Sequence, residues 1–320
     1  TTVAVNALLE EAGARTALVT TEGFRDVLEI GRQDRPDLYD TAVARPEPLV
    51  PRDRRYEISE RSGVDGPRRP PESDEIDRLI AELETAVDEG SIESIAVCFL
   101  HAYAHTAHEQ HLGRRLREQL EVPVSCSHEV LPEFREYERT STTVTDAYLA
   151  PVVGRYLDRL QERARRAELP EPFVMQANGG TATVEEVVDR PVTTVLSGPA
   201  AGVVGARAAV DHPGDVITFD MGGTSTDVSL AGPDGAALTT DVTVGGRPIK
   251  TAMVDVHTVG AGGGSIAWID DGGALRVGPQ SAGARPGPAC YGKGGTRPTV
   301  TDAHLVLGYL GSDTRLGGEM

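Results

Sequence analysis

Apolar residues fall into two alternating patterns along the first two-thirds of the chain. Ile76, Leu79, Ile80, Leu83 and Val87 share one face of a 3.6-residue repeat and predict an amphipathic helix. Ser73, followed by Asp74 and Glu75, stands where a cap and an acidic first turn would start it. Residues 16–20 and 122–127 predict strands, and the apolar run 95–100 a buried one. Helices are predicted over 3–13, 109–120 and 138–168. Residues 34–74 are rich in Pro, Arg and Asp and predict an extended excursion with one strand near 56–59.

Further on, 173–176 reads as a strand, and Thr183 with Glu186 has capping-box spacing. Ser197-Gly198-Pro199 leads into Ala200-Ala-Gly-Val-Val-Gly-Ala206, a helix of small residues suited to close packing. From 215 the pattern turns mostly to strands and Gly-rich turns, until a last helix near 300–310. The change at His212-Pro-Gly214 predicts a boundary between domains 1–212 and 213–320. Alternating strands and helices before it, and hairpins after it, predict a mixed-sheet α/β protein.

The 320 residues suffice for two domains, and 39% hydrophobic with only 4% aromatic content suits strands of Val, Ile and Ala. The net charge of −18 comes from 49 acidic and 31 basic residues, of which only Lys250 and Lys293 are lysines. Such an acidic, arginine-rich surface suits concentrated salt, which screens self-repulsion, and predicts a halophilic source. It argues against nucleic acid and anionic membranes as partners. Cys98, Cys126 and Cys290 lack paired spacing, which predicts a reducing, cytoplasmic setting without disulfides. No apolar run approaches the ~18 residues of a membrane span, and no secretory signal is expected. The opening Thr1-Thr-Val and the closing Gly317-Gly-Glu-Met320 are expected to be cuts through a longer protein.

The most chemistry-laden stretch is Val216-Ile-Thr-Phe-Asp220-Met-Gly222-Gly223-Thr224-Ser225-Thr226-Asp227-Val-Ser-Leu230. It reads as strand, glycine hairpin and strand, with a carboxylate on each side. Gly222 and Gly223 can adopt positive φ and let a ligand reach the backbone amides. Thr224, Ser225 and Thr226 add hydroxyl donors around an anion nest. Asp220 can hold a hydrated Mg2+ or orient a water. No P-loop signature occurs, and a strand follows where a P-loop would start a helix. A plain hairpin flanked by solvated aspartates is the competing reading.

Gly260-Ala-Gly262-Gly263-Gly264-Ser265 narrowly misses a dinucleotide fingerprint, and the strand expected after it excludes a Rossmann site. The loop can border a nucleotide or serve as a tight turn. Asp255 and His257, two apart on an expected strand, form a weak candidate pair for a metal. His101, His105, His108 and His111 resemble a metal cluster but are expected not to share a face. Cys290 is a candidate nucleophile without a local base, and a turn residue is the plainer reading.

Taken together, these segments resemble the hydantoinase A / 5-oxoprolinase family. The matching stretches begin with residues 1–9, with Gly13-Ala-Arg-Thr-Ala-Leu-Val-Thr-Thr-Glu-Gly-Phe-Arg-Asp26 and with Arg135-Glu-Tyr-Glu-Arg-Thr-Ser-Thr142. Asn178-Gly-Gly180, residues 196–206, the hairpin from Asp220 to Asp227, residues 255–265 and 287–292, and Pro298-Thr-Val-Thr-Asp302 complete them; His304 stands where an Asn is expected.

The resemblance implies an actin-like ATPase fold of the sugar kinase, chaperone and actin superfamily, with two mixed-sheet domains closing over Mg-ATP. The hairpin would be the second of two phosphate motifs, the first lying upstream of Thr1. Gly222, Gly223, Thr224, Ser225 and Thr226 would hold β- and γ-phosphates, and Asp220 and Asp227 would organise Mg2+ (or Mn2+ or another divalent ion) or water. Gly260, Gly262, Gly263 and Gly264 would border ATP.

The implied activity is that of an A-type subunit hydrolysing a small cyclic amide at the expense of ATP, with a hydantoinase B-type subunit as partner in a hetero-oligomer. An acetone- or acetophenone-type carboxylase subunit and a catalytically inert fragment are the alternatives. Arg135, Glu136, Tyr137 and Arg139 can line a pocket or form helix-surface ion pairs.

Overall fold

Four strands of the first half form its core sheet, three of them buried along their whole length by small and apolar residues and the second buried only at its two ends. They are Thr16–Thr21 (β1), Arg55–Ile58 (β2), Ser94–Cys98 (β3) and Val124–Cys126 (β4). They form one parallel sheet in the order β2-β1-β3-β4. In this computed structural model residues 2–311 are described, except 35, 36, 38, 41 and 44; the expected cut at 317–320 lies outside them. Packing divides the chain into two compact units, Thr1–Ala200 with Leu238–Met253, and Ala201–Ala237 with Val254–Met320. The composition change at 212–214 falls inside the second.

In the first unit, helices Ser73–Asp88 (α2) and Ala107–Gln119 (α3) cover one sheet face. Ile76, Leu79, Ile80 and Leu83 of α2, as the periodicity requires, pack with Leu112, Leu116, Val19, Ile95 and Val97. The opposite face meets Val144 and Ala147 of the 31-residue helix Glu136–Arg166 (α4). A third cluster joins the N-terminal helix Val3–Leu9 (α1) to α4, and to Val244, Ile249 and Met253.

Two local expectations change. Ser73 is not the cap of α2: Glu72 holds the N-cap position, and no side chain caps the helix. Glu75 instead accepts hydrogen bonds from the Ser59 amide at 2.9 Å and its hydroxyl at 2.5 Å, fastening the helix start to the end of β2. The excursion also holds an unforeseen hairpin, Arg61–Gly63 with Gly66–Arg69, whose Arg, Gly and Pro residues carry no alternation. The capping box of Thr183 and Glu186 forms as its spacing implies.

Helix α4 buries hydroxyls through most of its first half, and they stay satisfied by bonding back along the helix. Thr140, Thr142, Thr143 and Thr145 donate to the carbonyls of Glu136, Glu138, Arg139 and Ser141 at 2.7–2.8 Å. Arg139 is fully buried. It donates to the Phe99 carbonyl at 2.5 Å and to Ser127, and pairs with the half-buried carboxylate of Glu136, so a buried guanidinium ties α4 to the ends of β3 and β4.

Asp146 lies deeper in the same helix, accepting from the Ser125 hydroxyl at 2.7 Å and the Val192 amide at 3.0 Å. Burial outweighs both hydrogen bonds and raises its pKa to about 7. Between the ordinary carboxyl range and pH 7 the native state therefore holds a proton that the unfolded state has released. Stability falls as pH rises through that window, by up to about 4 kcal/mol at 1.36 kcal/mol per unit. Asp146→Asn removes this penalty while keeping both hydrogen-bond partners. Melting curves between pH 5 and 8 are expected to show a flatter profile and a higher midpoint at pH 8 for the variant.

In the second unit, Val216–Met221 (β5) and Thr226–Gly232 (β6) form an antiparallel hairpin, and His257–Val259 (β7) pairs with the other edge of β6. Ser265–Ile269 (β8) and Leu275–Ser281 (β9) make a second hairpin. Helix Ser197–Ala209 (α5) precedes β5, and Val300–Val306 (α6) follows the hairpins, its Thr299 and Asp302 forming a capping box. Among the described residues no helix is long and apolar enough to cross a membrane.

Candidate functional site

The β5–β6 register sets Asp220 directly opposite Asp227, and the β6–β7 register sets Asp227 opposite Thr258. Cross-strand partners share a face, so two carboxylates and a hydroxyl line up across three strands. The Thr258 hydroxyl donates to Asp227 at 2.6 Å. Asp220 is exposed, with Gly202 of α5 beside it: a Cβ there would sit 3.3 Å from its carboxylate.

Opposed like charges destabilise a strand pair unless a cation or bound donor lies between them. Mg2+ is commonly held by one or two carboxylates together with waters and substrate phosphates. The pair Asp220–Asp227 fits such an ion.

Between the aspartates the turn is shaped by the glycine loop behind it. The amides of Gly263 and Gly264 donate to the carbonyls of Gly222 and Gly223 at 2.9 and 2.7 Å. The Thr226 hydroxyl donates to the Ala261 carbonyl at 2.5 Å, so this buried residue braces the two loops. Gly262 is pressed so close that an added Cβ would stand 2.7 Å from Gly222 O, Thr224 N and Ser225 N. Gly263 and Gly264 are similarly confined, at 2.8 Å from the Thr301 hydroxyl and 2.9 Å from Gly223 O. Gly260 meets nothing within 4 Å.

With the Gly222 and Gly223 carbonyls tied back, the turn presents amides. Among the described residues those of Gly223, Thr224 and Ser225 find no acceptor, nor do the Thr224 and Ser225 hydroxyls. Successive free amides form an anion-binding concavity. Gly222 and Gly223 reach this geometry without the expected positive φ. A Cβ on Gly223 would meet nothing within 4 Å, so the chain itself does not require glycine there.

The other candidates separate from this site. Asp255 lies between strands rather than on one with His257, both are exposed, and the Asp255 amide bonds to Ala237 O at 2.8 Å. Among the described residues no three His, Cys, Asp or Glu side chains gather as a metal site. The four histidines disperse: His105 meets the Val64 carbonyl and His108 the buried carboxylate of Glu60. All three cysteines are free. Burial and the neighbouring Asp302 push the Cys290 thiol up to about 11, which disfavours the thiolate that nucleophilic attack needs. Burial would raise the Asp302 carboxyl, but hydrogen bonds from Cys290 and Thr299 outweigh it and hold it at about 2. A strand follows the glycine loop, as the exclusion of a Rossmann site requires.

A strand–glycine turn–strand hairpin in a mixed α/β chain with a parallel sheet is consistent with the actin-like ATPase fold, and solved structures agree with that fold. ATP-dependent caprolactamase from Pseudomonas jessenii superposes with a TM-score of 0.82 at 40% identity, over 99% of this chain and 46% of that one. A nucleotide-free acetone carboxylase superposes with a TM-score of 0.71 at 26% identity, over 97% and 46%. The family model for hydantoinase/oxoprolinase matches residues 139–320, and that for the hydantoinase/oxoprolinase N-terminal region matches 1–120. The chain belongs to the hydantoinase/oxoprolinase family.

Among its relatives, the caprolactamase alpha subunit of P. jessenii is 41% identical over all of this chain and 46% of its own length. The 5-oxoprolinase of Saccharomyces cerevisiae is 38% identical over 97% and 26%. The acetophenone carboxylase gamma subunit of Aromatoleum aromaticum is 37% identical over all of the chain and 46%. The chain thus spans about half or less of the curated relatives it matches.

Proposed function

We propose that this chain forms part of the A-type subunit of an ATP-dependent cyclic amide hydrolase, working with a B-type subunit in a hetero-oligomer. The observation that carries the reading is the turn Gly222–Ser225, whose Gly222 and Gly223 carbonyls are tied back while three successive amides stay free beside Asp220 and Asp227. A ring amide resists hydrolysis because nitrogen donates into its carbonyl. Transfer of the γ-phosphoryl group to the carbonyl oxygen forms an O–P bond, releases ADP and leaves a carbon that water attacks. The ring C–N bond then breaks, and a further water releases the phosphate.

Phosphoryl transfer is mainly a matter of position and charge neutralisation. In this reading the Gly223, Thr224 and Ser225 amides, with the Thr224 and Ser225 hydroxyls, hold the phosphates, and Gly222 allows their approach. Asp220 and Asp227 hold a hydrated Mg2+, which neutralises phosphate charge when bound. Gly260 borders the nucleotide, while Gly262, Gly263, Gly264 and Thr226 fix the turn. The reading places the enzyme in the cytoplasm of a salt-adapted cell.

Similarity to the acetophenone carboxylase subunit supports a second reading, an ATP-dependent ketone carboxylase. One assay separates them: ATP hydrolysis by the intact protein with its B-type partner, in molar KCl, with ring amides or with ketone and bicarbonate. Stimulation by a ring amide without bicarbonate is the expected result. Stimulation only by ketone with bicarbonate would move the protein to the carboxylase class.

A further inference from the structure

The first unit holds a cavity of about 720 Å³ that the phosphate chemistry leaves unused. It lies between residues 28–34 and 45–49, the first turns of α4 and residues 243–248, and falls in the size range of small-molecule sites, roughly 300–1,000 Å³. Leu28, Leu49 and Val144 give it apolar walls.

All its arginines, with Glu29 and Asp34, are paired. Arg32 meets Glu138 at 2.7 Å, Arg45 meets Asp34 at 3.0 Å, Arg247 meets Glu11 at 2.7 Å, and Glu29 meets Arg55 at 3.0 Å. Glu47, at the rim, has no cation partner among the described residues. An anion would therefore meet no uncompensated positive charge. Donors are nonetheless free: among the described residues, the Tyr137 hydroxyl and the terminal nitrogens of Arg32 have no acceptor. The Tyr137 ring stands beside Gly31, where a Cβ would come 3.5 Å from its Cζ. Apolar walls, free donors and the lack of an uncompensated cation match a neutral ring with a carbonyl acceptor.

We infer that this cavity takes the cyclic amide, that Tyr137 and Arg32 donate to its carbonyl oxygen, and that it selects uncharged rings over carboxylate-bearing ones. The inference rests on the amide-hydrolase reading and adds to it a location and a substrate preference. The test compares ATP-coupled opening of ε-caprolactam, hydantoin and 5-oxoproline by the intact protein with its B-type partner. Either neutral ring is expected to surpass 5-oxoproline in kcat/KM by at least about tenfold.

Tyr137→Phe and Arg32→Gln are each expected to raise the KM for the preferred ring by up to about tenfold, the effect of one lost hydrogen bond. The KM for ATP should move less than about twofold, a split that a merely structural role would not produce. Preference for 5-oxoproline, or an unchanged ring KM in both variants, overturns the inference and leaves the amide-hydrolase reading standing. Failure of every ring amide to support ATP hydrolysis in the unaltered protein overturns both.

Discussion

Replacing Gly262 by alanine is expected to cut kcat/KM for ATP by about a hundredfold, the scale of a displacement near 1 Å in a catalytic group. The new Cβ would stand 2.7 Å from three backbone atoms of the phosphate turn, and none of them can swing aside as a side chain would. The turn itself must move, and with it the free amides of Gly223, Thr224 and Ser225. A modest loss of stability, about 1–3 kcal/mol, accompanies such overpacking. Gly223→Ala is the informative companion. Its Cβ meets nothing within 4 Å in the chain, so the melting temperature should hold while ATP affinity falls. Unchanged affinity in both variants would remove the turn from the nucleotide site.

Asp220→Asn is expected to lower ATP turnover by roughly 10²–10³-fold, the usual effect of losing one group preorganised for transition-state charge. The same substitution should not weaken the fold. Asp220 faces Asp227 directly across β5 and β6, and relieving that repulsion is worth about 0.2–1 kcal/mol. Without Mg2+ the variant should therefore melt at or slightly above the parent. Loss of activity with retained or improved stability marks a residue kept for its ligand. A variant that loses both would place Asp220 in the framework.

Much of this arrangement was legible in the residues. The buried strand Thr16–Thr21 declared itself through its β-branched residues around Ala17, Leu18 and Val19, and α2 through its single apolar face. The hairpin from Asp220 to Asp227 was readable because its glycines, hydroxyls and carboxylates are adjacent in sequence. What escaped depends on contacts between distant segments. Gly222 and Gly223 suggested left-handed backbone, yet the turn takes its form from the loop at Gly262–Gly264, some forty residues on.

Ser73 looked like a cap because local preference favours serine there. The tie between Glu75 and Ser59 fixes the helix start instead. The pair Asp255 and His257 looked like one strand until pairing broke between them. The role of Arg139 was open between pocket and surface because burial beneath β3 and β4 leaves no periodic trace. The cavity beside Tyr137 was invisible because separated segments build it.

The central claim is that the Gly222–Ser225 turn, with Asp220 and Asp227, binds Mg-nucleotide. Its most direct measurement is equilibrium titration of the intact protein with ATP, with and without Mg2+, in parent and Asp220→Asn. Trp268 offers the signal, since it lies in the strand after the glycine loop and its indole N–H bonds to the Gly278 carbonyl at 2.8 Å. The account predicts saturable binding that Mg2+ strengthens in the parent, with most of that Mg2+ dependence gone in the variant. Equal affinity in both proteins, indifferent to Mg2+, would contradict it.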